Sequence, residues 1–225
     1  MSAGRGIWSP ADVLVVHAAP LEAPGIAGQR TVELGVGKVA AATNLYAALI
    51  GGELAGQRID AVLLVGIAGA YPERHRGTPP PVRPGELCVV GGDVLADEGV
   101  RTERGFVDFG APAFGHDRSL VDAGPFPASP RLSQFAAARL GVPIVRGATV
   151  STCSGSEATS RELYERTHAD VESMEGAAVA AVCRRREVPL LHVRAISNWT
   201  GDRERAEWDI GRAVEALRAG VARLT

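Results

Sequence analysis

Six apolar, β-branched runs recur along this chain, at 13–16, 31–36, 61–65, 87–90, 144–150 and 190–196, and most are continuous rather than alternating. A strand with one face in water alternates polar and apolar residues, so a continuous run marks a strand covered on both faces. Helical periodicity falls between the runs, at 38–50, 131–140, 156–167, 177–186 and 205–224. Strands that need cover on both sides, interleaved with helices that can give it, predict a single-domain three-layer α/β/α sandwich around a central mixed, mainly parallel sheet. No hydrophilic low-complexity linker divides the 225 residues, so one domain is expected to span 1–225, with 1–10 an irregular N-terminal segment. With 46% hydrophobic residues there is ample material for its core.

A formal charge of −2, from 26 acidic and 24 basic residues, gives no electrostatic footprint for nucleic acid or a membrane surface. No apolar run reaches the roughly 18 residues that span a bilayer, and residues 1–10 lack the apolar stretch of a signal peptide, so a cytoplasmic location is expected. Cys88, Cys153 and Cys183 are odd in number and lack metal-ligand spacing. They read as reduced structural thiols in apolar contexts, with no metal site and no cofactor.

Two stretches resist regular structure. Residues 71–85 contain Pro72, Pro79, Pro80, Pro81 and Pro84 with four basic residues, and read as an exposed connection. Residues 110–130 carry Pro112, Pro125, Pro127 and Pro130 with Phe114 and Phe126; a lid, an oligomer contact and plain surface packing all suit them.

Polar residues collect where the apolar runs end. Val171-Glu172-Ser173-Met174-Glu175-Gly176 and Val193-Arg194-Ala195-Ile196-Ser197-Asn198 flank a helix, and a strand–helix–strand crossover would make the two strands parallel and bring Glu175 and Asn198 out at one edge. Open α/β sheets bind ligands at such an edge. Three further segments are expected there: 17–22, 66–70 with Ala68 and Gly69, and 151–155 with Ser154 and Gly155. Small residues in two of them would let backbone approach a ligand.

Glu175 at a helix start would be held ionised by unpaired N–H groups and offer two acceptor oxygens to vicinal ribose hydroxyls, though taken alone it reads as a helix-start charge without a ligand. Met174 reads equally as a core gap-filler. Glu22 follows a strand in an apolar, proline-containing segment that can raise a carboxyl pKa for proton transfer; a solvated loop acid is the other reading. His17 reads as structural or as part of the rim. Gly35-Val36-Gly37-Lys38 lacks GxxxxGK[ST] spacing and is read as a tight turn, and Ser197 lacks the context of a hydrolase nucleophile.

Taken in order, Gly35-Val36-Gly37-Lys38-Val39-Ala40-Ala41, Gly66-Ile67-Ala68-Gly69, Ser173-Met174-Glu175-Gly176-Ala177 and Arg194-Ala195-Ile196-Ser197-Asn198 resemble the nucleoside phosphorylase and nucleosidase superfamily over nearly the whole chain. Within it the chain looks like the hydrolytic branch, which includes the methylthioadenosine and S-adenosylhomocysteine nucleosidases. The resemblance implies that Glu22 is the acid/base that positions water, that Met174 and Glu175 cradle the ribose with Ser173 beside them, and that Asn198 faces the leaving purine. The adenine-specific nucleosidases carry aspartate there. An asparagine donates to a 6-oxo oxygen and accepts from a protonated N7, which favours hypoxanthine.

Phosphorylases of the superfamily hold phosphate with arginines, whereas 17–22 and 66–70 contain no Arg or Lys. Water is therefore the expected nucleophile, and the resemblance, which looks closest to the futalosine-cleaving members of that branch, implies a purine nucleoside of that kind as substrate. By the same resemblance Arg203 would reach the carboxylated far end of that substrate; a surface pair with Asp202, Glu204 or Glu207 is the alternative. Arg194 is expected to anchor the carboxylates rather than touch substrate. Members are commonly homo-oligomers, with 110–126 a candidate for completing a neighbour's pocket.

Overall fold

A strand buried on both faces sends alternate side chains into two separate cores. Residues 13–17 do so: Val13 and Val15 enter one core, Leu14 and Val16 another. A computed structural model describes residues 12–109, 124–202 and 208–224. Along the chain they form β1 (Val13–His17), β2 (Thr31–Glu33), α1 (Lys38–Leu54), β3 (Ala61–Ala70), the single turn α2 (Glu73–Arg76), β4 (Leu87–Leu95), β5 (Gly99–Thr102) and β6 (Gly105–Asp108). After these come β7 (Phe126–Pro127), α3 (Pro130–Leu140), β8 (Ile144–Thr149), α4 (Glu157–Thr167), β9 (Val171–Ser173), α5 (Gly176–Arg185), β10 (Leu190–Trp199) and α6 (Ile210–Ala222).

The three layers follow from that alternation. In β3, Leu63 and Val65 join the core closed by α3 and α6, while Val62 and Leu64 join the core closed by α1 and α5. Burying each such side chain contributes roughly 1.5–3 kcal/mol, which outweighs the few tenths by which local propensities differ. Caps set the helix starts: Ser129, Ser156 and Asp209 accept from the backbone N–H of Leu132, Thr159 and Arg212. Asp209 caps α6, so Trp208 and Asp209 stand outside the helix expected from 205.

The eight-stranded sheet runs β10–β4–β8–β9–β3–β1–β2, β7 adds to β4, and β10 also pairs with β3. That extra pairing closes β3, β9, β8, β4 and β10 into a ring. One half of the sheet, β1, β2, β3 and β10, is mutually parallel. In the other half β4, β8 and β9 are parallel to one another but meet β10 and β3 antiparallel. The mixed, mainly parallel sheet of the sequence reading is thus present. Its crossover is not: β9 and β10 run in opposite directions and are not neighbours, because β3 lies between them.

Convergence survives for a different reason. Against β3, Glu172 pairs with Gly69 and Arg194 with Gly66, while Asn198 also stands opposite Gly69. Both polar segments therefore line the carboxyl half of a single strand. Residues 66–70, expected as a loop, are the continuation of β3, and β10 likewise runs on through Asn198 to Trp199. Its register shifts between Ile196 and Asn198, so Ser197 is an extra residue that re-aims the Asn198 side chain.

Most of 71–85 is the exposed connection expected, with two departures. Tyr71 and Val82 are buried, and 73–76 make a helical turn after Pro72. Arg74 pairs with Glu157 and Arg76 with Asp170, which ties the segment down. In the second irregular stretch, Phe126 is buried and Pro130 occupies the first turn of α3. Residues 110–123, with Pro112 and Phe114, lie outside the described residues, as do 1–11 and Arg203.

A methyl group on Gly66 would sit 2.2 Å from Arg194 Nη1 and 2.8 Å from Glu22 Oε1. Gly66→Ala is expected to destabilise the fold by about 1–3 kcal/mol through overpacking, measured by urea unfolding, and to lower any activity that needs Glu22 and Arg194 in place.

Candidate active site

Where the ring of strands opens, a cleft of about 330 Å³ is lined by Glu22, Ala68, Gly69, Ser154, Ser173, Met174, Glu175 and Asn198 among others. Eight of the residues singled out from the sequence thus come together. Gly155 does not line the cleft and is exposed. His17 is buried below it, and its Nδ1–H donates to the Ala19 carbonyl at 2.9 Å, a structural role.

Glu22 ends a 3₁₀ turn, Pro20–Glu22, and folds back over it. Its Oε2 accepts from the backbone N–H of Ala18 at 3.1 Å and of Ala19 at 3.0 Å, and its Oε1 from that of Ile67 at 2.8 Å. The apolar setting read from the sequence omitted these three donors.

Ile67 also holds Arg194, whose Nη1 donates to the Ile67 carbonyl at 3.1 Å. Nη2 of the same guanidinium donates to Glu175 Oε2 at 3.1 Å, and Nε to His192 Nε2 at 2.7 Å. Arg194 is 1% exposed, so it anchors rather than meets a ligand. Glu175 precedes α5 but makes no capping bond; its Oε1 accepts from the Gly37 N–H at 3.1 Å. The turn at 35–37 therefore does more than reverse the chain. Gly37, at φ 93°, aims a backbone donor at the carboxylate 138 residues away. Lys38 turns from the cleft to pair with Asp97 and with Glu98 at 3.1 Å.

Beside Arg194 lie two further buried titratable groups, His192 and Asp93. Burial, followed by the nearby Arg194 charge, pushes His192 well below the usual imidazole range, so it is neutral. Its Nε2 accepts from Arg194, hence Nδ1 carries the hydrogen and faces Asp93 Oδ2 at 3.6 Å, too long for a hydrogen bond and not an ion pair. Burial pushes Asp93 up to about 6, against the Thr149 hydroxyl that donates to it at 2.6 Å and the Arg194 charge. Gly147 and Gly176 leave room for it, since a methyl on either would lie within 2.5 Å of Asp93 Oδ2.

At the other end of the cleft, the Asn198 amide orientation is fixed by its neighbours. The Trp199 carbonyl can only accept, so the atom 2.9 Å from it is Nδ2; Oδ1 accepts from the Ser197 hydroxyl at 2.8 Å. One N–H and one lone pair remain for a ligand. Across Gly69 stands Glu172, which sequence reasoning quoted but gave no role. It accepts from Ser154 N–H at 2.8 Å, Ser154 Oγ–H at 2.5 Å and Tyr71 O–H at 3.0 Å, and burial raises its pKa. The signal was its place two residues before Met174, on the face of β9 opposite Val171.

No Arg or Lys lines the cleft among the described residues, while Glu22, Glu172 and Glu175 all do. Also among them, no group of three or more His, Cys, Asp or Glu could hold a metal ion. The cysteines divide: Cys88 and Cys183 are buried, which pushes both thiols up to about 12, whereas Cys153 is exposed at the cleft and departs from the apolar context expected.

A family model described as Phosphorylase superfamily matches residues 27–225, and the chain belongs to that superfamily. Its similarity to curated relatives is narrower. It is 35% identical over 193 residues to a futalosine hydrolase of Thermus thermophilus, covering 86% of this chain and 79% of that protein. A futalosine hydrolase of Streptomyces coelicolor is 34% identical over 190 residues, 84% of this chain and 75% of that one. Among solved structures, a futalosine hydrolase mutant of Helicobacter pylori superposes with a TM-score of 0.73 at 18% identity, covering 94% of this chain and 97% of that one. The 5'-methylthioadenosine/S-adenosylhomocysteine nucleosidase of Neisseria meningitidis, in complex with methylthio-immucillin-A, superposes with a TM-score of 0.71 at 20% identity over 94% and 97% of the two chains. At those identities the two structures establish the shared fold.

Asp93 gives a pH signature. An acid whose folded pKa lies above its unfolded value of 3.8 adds stability below that value and loses it as pH rises through about 6. Asp93→Asn cannot ionise, so the stability of the variant relative to the parent should improve by roughly 3 kcal/mol between pH 3.5 and pH 8. Urea midpoints at the two pH values check this; an unchanged difference would contradict the buried acid.

Proposed function

We propose that this chain hydrolyses the N-glycosidic bond of futalosine, releasing hypoxanthine and dehypoxanthine futalosine, a step in menaquinone biosynthesis. The observation that carries the reading is a cleft lined by three glutamates and, among the described residues, no cation, in a chain 34–35% identical to futalosine hydrolases. A phosphate nucleophile would meet like charge from those carboxylates.

In this mechanism Glu22, held by three backbone N–H groups, takes a proton from water as the water oxygen bonds to the anomeric carbon. The carbon–nitrogen bond breaks through an oxocarbenium-like state and its electrons pass into the purine, which takes up one proton at N7 from solvent and leaves neutral, while Glu22 returns the proton it took from water to solvent and is reset. Glu175, fixed by Arg194 and Gly37, accepts from the ribose hydroxyls over Met174, with Ser173 alongside. Ala68 and Gly69 admit the base edge to the strand backbone, and Ser154 closes the far side. Asn198 donates its remaining N–H to the 6-oxo oxygen and offers its remaining lone pair to N7–H. An aspartate would turn a carboxylate oxygen toward the Trp199 carbonyl, so the pocket suits the amide. That is why the alternative, a methylthioadenosine or S-adenosylhomocysteine nucleosidase, fits less well. Arg203, beyond the described residues, is assigned by resemblance to the carboxylated end of the substrate.

The proposal extends to one domain over 1–225, a homo-oligomer and a cytoplasmic location. Val39 at 81% exposure and the exposed Val36 put apolar surface beside the cleft, suited to a second copy. The buried thiols of Cys88 and Cys183 suit a reducing compartment. No helix among the described residues is long and apolar enough to cross a membrane.

The purified protein should release hypoxanthine from futalosine in phosphate-free buffer, followed by chromatography, and should release adenine from methylthioadenosine far more slowly. Glu22→Gln should lower kcat by a factor of about 10²–10⁴ while KM stays within a few-fold. Absence of hypoxanthine with the parent enzyme would overturn the assignment.

A further inference from the structure

Glu172 is the one buried carboxylate in the cleft that the proposed mechanism leaves without a task. It is 6% exposed, yet it lines the cleft, on the strand that flanks β3 opposite β10. Register places it level with Asn198. Both residues pair with Gly69, one from β9 and one from β10. Two strand spacings set their backbones roughly 10 Å apart. Between them Gly69 supplies no side chain, and none would fit: a methyl there would lie 2.9 Å from Thr200 Cγ2 and 3.3 Å from Asn198 Nδ2. The result is a slot with a bare backbone floor, an amide on one wall and a carboxylate on the other.

Among the described residues the hydrogen-bond inventory leaves Glu172 a single acceptor position. Oε2 receives both the Ser154 hydroxyl and the Tyr71 hydroxyl, which uses its two lone pairs. Oε1 receives only the Ser154 N–H, so one lone pair remains. A 6-oxopurine carries, in order around its edge, N7, the 6-oxo oxygen and N1–H. Asn198 serves the first two in the proposed mechanism; the third is a donor and requires an acceptor on the far side of the oxygen. A 6-aminopurine presents a lone pair at N1, which a carboxylate oxygen repels.

We propose that Glu172 is a specificity-determining residue that accepts a hydrogen bond from N1–H of a 6-oxopurine, so that the base is gripped between Glu172 and Asn198 across Gly69. The inference rests on the reading that a purine occupies this cleft. Selectivity for the 6-oxo base then has two independent sources, one on each wall. Ser154 and Tyr71 act by holding the carboxylate, and the loop at 151–155 contributes through Glu172 as well as by contact.

The test uses binding of the free bases, which needs no turnover. Titration calorimetry with hypoxanthine and adenine is run on the parent protein and on Glu172→Gln, with Tyr71→Phe as a variant that removes only one supporting bond. The parent should prefer hypoxanthine. Glu172→Gln should weaken hypoxanthine by roughly 10- to 100-fold, the loss of a charge-assisted hydrogen bond, while adenine is unchanged or tighter because the new amide can donate to N1. Tyr71→Phe should keep the parent's preference. A loss shared equally by both bases would mean that Glu172 only supports Ser154, and would overturn the inference. Should Glu172→Gln fail to fold, 1-deazahypoxanthine, which keeps the shape and lacks N1–H, is compared with hypoxanthine on the parent protein; equal affinity would likewise overturn it. A parent protein that binds neither base removes the purine reading and this inference together. Binding of hypoxanthine without Glu172-dependent preference removes this inference alone.

Discussion

The buried guanidinium of Arg194 organises the site. It is held in the sheet by the Ile67 carbonyl and His192, and it holds Glu175 in turn, while the N–H of the same Ile67 holds Glu22. One residue of β3 thus fixes the separation of two carboxylates that come from opposite ends of the chain. Removing one partner of such a buried pair costs about 3–5 kcal/mol, because the other charge is left in a dry interior without compensation. Gly66 is dictated by the same contact, since the guanidinium passes where its side chain would be. So is the neutral His192, whose Nε2 must stay unprotonated to accept from Arg194.

The sheet explains how this centre becomes a cleft. Had β9 and β10 been adjacent and parallel, Glu175 and Asn198 would have emerged side by side at one edge. With β3 between them and β9 reversed, the polar residues instead spread along β3: Glu175, Arg194 and Glu22 near Gly66, Glu172 and Asn198 level with Gly69. That spread sets the two ends of the cleft that the proposed mechanism assigns to the sugar and to the base. Ser197 completes it by shifting the register of β10 one residue before Asn198.

Much of this was legible in the sequence, for physical reasons that also mark where legibility stopped. Continuous apolar runs such as 13–16 and 61–65 mark strands buried on both faces, so the layers were readable. Glu22, Met174, Glu175 and Asn198 were readable because they sit in short, ordered motifs. Strand direction was not, because the apolar pattern of β9 is the same whichever way it runs, and only its pairing with β3 decides. Residues 66–70 passed for a loop because glycines that admit Arg194 and Asn198 look identical to glycines that make a turn. Glu172 was overlooked because its partners, Tyr71 and Ser154, lie 101 and 18 residues away. The donors to Glu22 and Glu175 were invisible because they are backbone N–H groups of Ile67 and Gly37, which no side-chain pattern reports.

The chemistry rests on charge. A cleft with three carboxylates and, among the described residues, no basic side chain in its lining can orient a water molecule and stabilise a cationic sugar, and it repels a phosphate dianion. In the proposed mechanism Glu175 and Glu22 flank the oxocarbenium ion. The most direct test is to run the reaction in concentrated phosphate buffer and identify the sugar product by mass spectrometry. The free sugar alone, formed at the rate seen without phosphate, is the predicted result. A sugar 1-phosphate, or a rate that rises with phosphate concentration, would contradict the account.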